Sequence, residues 1–453
     1  MDHKINRNSR PADMKPIRTN DSSNLSLEFN KAASSQPARG ILSAFLDYLK
    51  ARQQLAVVTA LGTCAILSAL FLYLCVRAMI PVEGLNNWQD VRVGADFIVF
   101  YSSALLALGG EAALAYDQAI LNAFQYEILG IEAHNLAWYY PPVNFLFLIP
   151  FTSLSYLEAF WAWTILTTLS LMIVIRQITP IWYIPLLVPL CFPVAYSMVA
   201  GQNGVLTAAI IGAGLIMLPR SATVAGLLFG LLIYKPQLAV VIPFCLLAGR
   251  HYRTFVSMAV SAVALILMSW LVFGIEPWIA FIHGMVHKSD SLYGPALDVW
   301  ARIPTVIIMA LQVFESSKIA WILQACVSVT AITIAAWVWS TSAKPGTLAL
   351  ALVAATPLVS PHILDYDMAI LIIPIAFLAK DAWGGKWTAG RFILLLSMWT
   401  AEPMLRILSE KIGLQLGPFL WTVMLGYSVF LVMKEQGGIV KQEISGYRRQ
   451  EIR

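Results

Sequence analysis

Apolar stretches of membrane-spanning length, separated by short polar breaks, recur from about residue 55 almost to the C-terminus. A single soluble core cannot absorb that pattern, whereas a bundle of membrane helices requires it. Composition agrees. Hydrophobic residues make up 59% of the 453 and charged residues only 12%, against roughly 45–50% and about 25% in ordinary soluble domains. The chain is expected to be an all-α polytopic membrane protein. Several runs, such as 142–154, 222–234, 237–249 and 346–359, are shorter than the roughly 20 residues of a straight span. Half-helices or broken pairs are therefore expected among about 10–14 membrane helices.

The formal charge of +5 does not point to nucleic acid. Lys and Arg sit mainly at the termini and in short turns, with no basic stripe interleaved with aromatics, so the excess reads as a topology signal. Cys64, Cys75, Cys191, Cys245 and Cys326 are far apart in apolar segments, without CxxC spacing, and read as buried thiols with no redox or metal role. No carboxylate set has clear metal-ligand spacing, so neither metal nor cofactor is expected.

Residues 1–52, rich in Ser, Asn and Pro with an excess of Lys and Arg, read as a disordered basic cytoplasmic arm. The run at about 55–80 starts too far into the chain for a cleaved signal peptide and reads as a retained first span within a transmembrane domain over 53–433. The stretch 81–141 carries Glu83, Asp90, Asp96, Glu111, Asp117, Glu127 and Glu132 against Arg92, which places it on the outer side as the first outer loop. Within it Phe97, Phe100, Tyr101, Ala104, Leu105 and Leu108 recur at helical spacing, as do Ile120, Phe124, Ile128 and Ile131. Two amphipathic helices on the membrane surface are expected there. A second outer loop is expected over 275–301 and a basic cytoplasmic tail over 434–453.

Polar groups close to a membrane are costly, so each invites a reason. Asp96 either caps the helix that starts at Phe97 or serves as a carboxylate base at the outer face. Trp138-Tyr139-Tyr140-Pro141-Pro142 is explained by interfacial aromatics and a helix-starting proline, with substrate contact by Tyr140 as the alternative. Gly201-Gln202-Asn203-Gly204 reads as a turn. Lys235, in Lys235-Pro236-Gln237 between two short apolar runs, is either a snorkelling cation or one that faces a phosphate inside the bundle. His362, Asp365 and Asp367 cluster in one short segment; a polar loop explains them, or His362 meets a phosphate. His283 and His287, four apart, lack a third ligand, and metal binding is not expected.

Taken in order, Gly94-Ala95-Asp96-Phe97 with Phe100-Tyr101, Tyr116-Asp117, Tyr140-Pro141-Pro142, Gly201-Gln202-Asn203, Lys235-Pro236-Gln237 and Ser360-Pro361-His362 through Tyr366-Asp367 resemble glycosyltransferase family 87 over about residues 55–430. The resemblance implies a GT-C-type fold and transfer of a hexose, typically mannose, from a polyprenyl-phosphate donor to a lipid or glycan acceptor on the outer leaflet, with inversion. It implies Asp96 as general base and His362 and Lys235 as donor-phosphate contacts; Tyr101, Tyr140, Gln202, Asn203, Gln237 and Asp367 are the candidate substrate-binding positions. The expected setting is a bacterial inner membrane with the active site on the outer face. Partners would be the lipid-linked donor, the acceptor and membrane lipid. The rival reading is a membrane transporter or lipid flippase without transferase chemistry, in which buried Lys and His line a pathway.

Overall fold

A computed structural model describes residues 59–130, 137–287, 300–383 and 387–450, with backbone alone for 286–287 and 437–450. The basic arm 1–52 and, of the expected second outer loop, residues 288–299 lie outside the described residues. The chain divides after Leu67. Of the first unit the described part is 59–67, the start of the helix Thr59–Ala78. Everything below concerns the second unit, from Ser68 onward.

The protein is all-helical: among the described residues there is no strand, only isolated bridges at Glu83, Asn86 and Arg92. Among the described residues, four helices besides Thr59–Ala78 are long and apolar enough to cross a membrane: Tyr156–Ile178, Tyr252–Phe273, Ser317–Ser340 and Gly417–Gln436. The helices Ala389–Trp399 and Ala401–Ile412 are long and apolar enough only as a pair and meet at 78°, the geometry of a broken span or of a re-entrant loop. The remaining apolar helices are short, among them Gly204–Met217, Ala222–Tyr234, Pro236–Ala248 and Pro345–Val359. The expected 10–14 membrane helices are therefore not that many full-length spans. Proline is one cause: Pro236 and Pro345 begin helices, and neither can continue a preceding one.

What faces outward supports a membrane setting. On Tyr252–Phe273, Val256, Val260, Val263, Leu267 and Leu271 are all exposed, an apolar stripe that water would penalise and lipid would not. The opposite face of that helix packs on Ala222–Leu231, where Gly226 and Gly230 let the backbones meet. A Cβ on Gly226 would lie 2.3 Å from the Thr254 carbonyl oxygen, and one on Gly230 would lie 2.4 Å from Ser261 Cβ. Small residues four apart are how lipid-embedded helices approach without a hydrophobic drive.

The stretch 81–141 holds the two expected helices, Phe97–Leu108 and Gln118–Leu129. Phe97–Leu108 corrects one expectation, because it does not lie on a surface. Ser102 and Ser103 are buried along with most of its apolar residues. Gln125 of the second helix donates to Ser102 Oγ at 3.0 Å. The helix packs through Phe97 and Phe100 on Phe160, Trp163 and Trp138, forming a core apart from that of the helical bundle.

Candidate active site

Asp96 stands at the N-terminal end of Phe97–Leu108 in helical conformation, and its side chain makes no capping hydrogen bond. Asp117, by contrast, caps the next helix, Gln118–Leu129: its carboxylate accepts from the Ala119 and Ile120 amides at 2.9 and 3.1 Å. The half-buried Asp96 carboxylate accepts from Gln202 Nε2 at 3.1 Å. Burial pushes the Asp96 pKa above its ordinary value, while the Arg302 guanidinium and the Gln202 hydrogen bond pull it back.

Gln202 reaches Asp96 because the turn around it is glycine on both sides. Gly201 ends the helix Phe192–Ala200 at φ 68°, a left-handed conformation that glycine adopts without strain. A Cβ there would also lie 2.6 Å from Phe97 Cβ. Gly204 meets the next segment, since its Cβ would lie 2.2 Å from the Tyr366 carbonyl oxygen.

Gln202 Oε1 accepts from the Tyr140 hydroxyl at 3.0 Å. Tyr140 is placed from two sides: the Tyr116 hydroxyl donates to its carbonyl at 2.8 Å, and Phe100 meets its ring edge-on at 5.2 Å. Lys235, caught where the helix breaks before Pro236, donates to Asn203 Oδ1 at 2.9 Å, lies 3.5 Å from the Tyr140 hydroxyl and is ion-paired with Asp367. Its ammonium also sits over the Tyr140 and Tyr366 rings, 5.4 and 4.9 Å from their centres. Asp96, Tyr140, Gln202, Asn203, Lys235 and Asp367 thus form one continuous polar chain.

His362 closes one side, with its ring 6.3 Å from that of Tyr139. Burial and the neighbouring Lys235 charge hold its pKa down to about 4, so it is neutral at neutral pH. Two of the expected positions stand apart from the chain. The Tyr101 hydroxyl donates to the Leu154 carbonyl at 2.8 Å and lines a separate groove of about 400 Å³ with Leu105, Leu129 and Leu157. Gln237 is half-buried in the short helix Pro236–Ala239. Sequence reasoning missed Arg302, whose Nε donates to Asp365 Oδ2 at 3.0 Å. The available signal was a lone arginine just ahead of the apolar run that begins at Ile303.

The family profile of glycosyltransferase family 87 matches residues 138–361, which includes Tyr140, Gln202, Asn203, Lys235 and Arg302. The chain belongs to glycosyltransferase family 87. It is therefore a membrane glycosyltransferase with a sugar donor and an acceptor, which decides against the transporter reading. No curated protein and no solved structure matches the chain. In this family 87 enzyme the candidate base Asp96, and the segment from His362 to Asp367, fall outside the matched stretch and are tied to it by the hydrogen bonds just described.

Proposed function

We propose that this enzyme transfers a hexose, mannose by resemblance, from a polyprenyl-phosphate donor to a lipid or glycan acceptor at the outer face of a bacterial inner membrane, within a GT-C-type fold. Asp96 takes the proton of the acceptor hydroxyl. The freed oxygen attacks the anomeric carbon, the bond from that carbon to the phosphate oxygen breaks, and the electron pair leaves with the lipid phosphate. Attack opposite the leaving group inverts the anomeric centre. The lipid phosphate departs as an anion at neutral pH, so it needs stabilisation of charge rather than a proton.

The observation that carries this reading is the freedom of Asp96. A carboxylate at a helix start that leaves its own amides uncapped and faces a polar chain is available for proton transfer. Gln202 orients it, and Tyr140 orients Gln202. Lys235 and Asp367, neutralised by each other, hold Tyr140 and Asn203 in place, and neutral His362 offers a hydrogen bond to the donor phosphate.

The test is transfer of radiolabelled mannose from polyprenyl-phosphate mannose to a membrane lipid extract by the purified protein in detergent. A positioned base contributes about 10²- to 10⁴-fold, so Asp96→Asn should lower the rate by that factor. Equal transfer by wild type and Asp96→Asn removes Asp96 from the mechanism.

A further inference from the structure

The charge on a departing phosphate calls for a cation that has nitrogen atoms to spare and that a substrate can reach. Lys235 meets neither condition. Its side chain is 2% exposed, and its ammonium is already shared among Asp367, Asn203 and Tyr140. Neutral His362 can offer a hydrogen bond but no charge.

Arg302 meets both conditions. Its Nε donates to Asp365 Oδ2 at 3.0 Å and its Nη2 lies 3.5 Å from Oδ1, so one edge of the guanidinium is fixed. Nη1 has no hydrogen-bond partner among the described residues, and the side chain is 30% exposed above an Asp365 that is 1% exposed. The backbone beneath is clamped as well. Asp365 N donates to the Arg302 carbonyl at 2.9 Å, Gln415 Nε2 to the Ala301 carbonyl at 3.1 Å, and Trp421 Nε1 to the Pro304 carbonyl at 2.8 Å. Asp365 shares the short helix Asp365–Leu371 with Asp367, the ion-pair partner of Lys235, which ties Arg302 to the polar chain that ends at Asp96.

We propose that Arg302 binds the monophosphate of the lipid-linked donor through the open edge of its guanidinium, with buried Asp365 fixing the plane of that group. The inference rests on the donor-dependent transfer described above. Breaking the bond between the anomeric carbon and oxygen leaves the electron pair on the phosphate, which gains about one negative charge. A planar guanidinium already in place takes up that charge without reorganising and without a proton. The buried carboxylate behind it is a positioning residue: it spends two of the guanidinium nitrogens on orientation and leaves the rest for the ligand.

The test uses the full chain in detergent and two probes, farnesyl monophosphate and farnesol, which differ only in the phosphate. Tryptophan fluorescence titration gives the ratio of the two affinities, a quantity that a merely structural defect does not move. The wild type should prefer the phosphate. Arg302→Gln should lower the preference by about ten- to hundred-fold, the worth of a charge-assisted hydrogen bond to a phosphate, and Arg302→Lys should restore part of it. Because Arg302→Gln strands a buried carboxylate, the double variant Arg302→Gln/Asp365→Asn removes both charges and should show the same loss while folding. An unchanged ratio in that double variant overturns the assignment and leaves the transfer reading standing. A wild type that binds both probes equally defeats the donor reading, and the Arg302 assignment with it. Inorganic phosphate alone is the remaining arm. Weaker binding than farnesyl monophosphate supports a lipid headgroup as the natural source, and equal binding overturns the donor assignment in favour of a free anion.

Discussion

Lys235 and Asp367, 2% and 1% exposed, form an ion pair whose two members are both buried. Lys235→Met takes away the charge and keeps most of the volume. Asp367 then retains only the Leu364 amide, at 3.3 Å, and an uncompensated buried carboxylate of this kind costs about 3–5 kcal/mol. Asp367→Asn strands the lysine instead. Lys235 still has Asn203 and two aromatic faces, which offset about 1–2 kcal/mol of the loss, so that variant should lose about 2–4 kcal/mol. Lys235→Met/Asp367→Asn removes both charges, and the double variant should be more stable than the sum of its parts by at least about 2 kcal/mol. Thermal unfolding in detergent, followed by tryptophan fluorescence, reads the difference. At roughly 2–4 °C per kcal/mol, Lys235→Met should lower the apparent Tm by on the order of 10 °C. A single variant that melts within about 2 °C of wild type, or a double variant whose loss equals the sum of the singles, refutes the argument that the pair is buried and mutually compensating.

Tyr140→Phe removes the hydroxyl that orients Gln202 and should slow sugar transfer by about two- to tenfold with little change in Tm, the worth of one neutral hydrogen bond; an unchanged rate would show that Gln202 needs no such support. Gly204→Ala drives a methyl to 2.2 Å from the Tyr366 carbonyl and should cost about 1–3 kcal/mol with loss of transfer, and full activity in that variant would show that the turn can open. His362 has a folded pKa of about 4, below its ordinary 6.5, so the unfolded chain binds its proton first and this group subtracts stability as pH falls from about 6.5 towards 4. His362→Gln should therefore flatten the acid decline of Tm across that window, and a parallel decline in both proteins would contradict the burial of the ring.

The polar chain at the site was legible where chemistry is local and illegible where it is not. Gly201-Gln202-Asn203-Gly204 announces a tight turn, and Lys235-Pro236 announces a break in a helix, because glycine and proline act on their own backbone. That Lys235 meets Asp367, 132 positions away, or Arg302 meets Asp365, 63 positions away, is a property of packing and leaves no periodic trace. The same limit explains the Phe97–Leu108 helix. Its apolar spacing fits a surface helix and a buried one equally, and what separates them is Gln125 of another helix satisfying Ser102. Asp96 shows the reverse case, since the local rule for a helix-start aspartate is capping and the side chain departs from it. The all-helical polytopic class followed from hydropathy alone, whereas the number of full spans did not, because short broken helices and long ones carry the same residue types.

Lys235 and Asp367 also set an order of events during synthesis. Lys235 leaves the ribosome 132 residues before its partner, which at about 5–20 residues per second is an interval of roughly 7–26 s. Throughout that time the carboxylate with which Lys235 pairs in the folded protein does not yet exist, and a charge between two apolar helices is costly to place in lipid. The contact that joins the two ends of the candidate site therefore closes only after the chain has been made as far as residue 367.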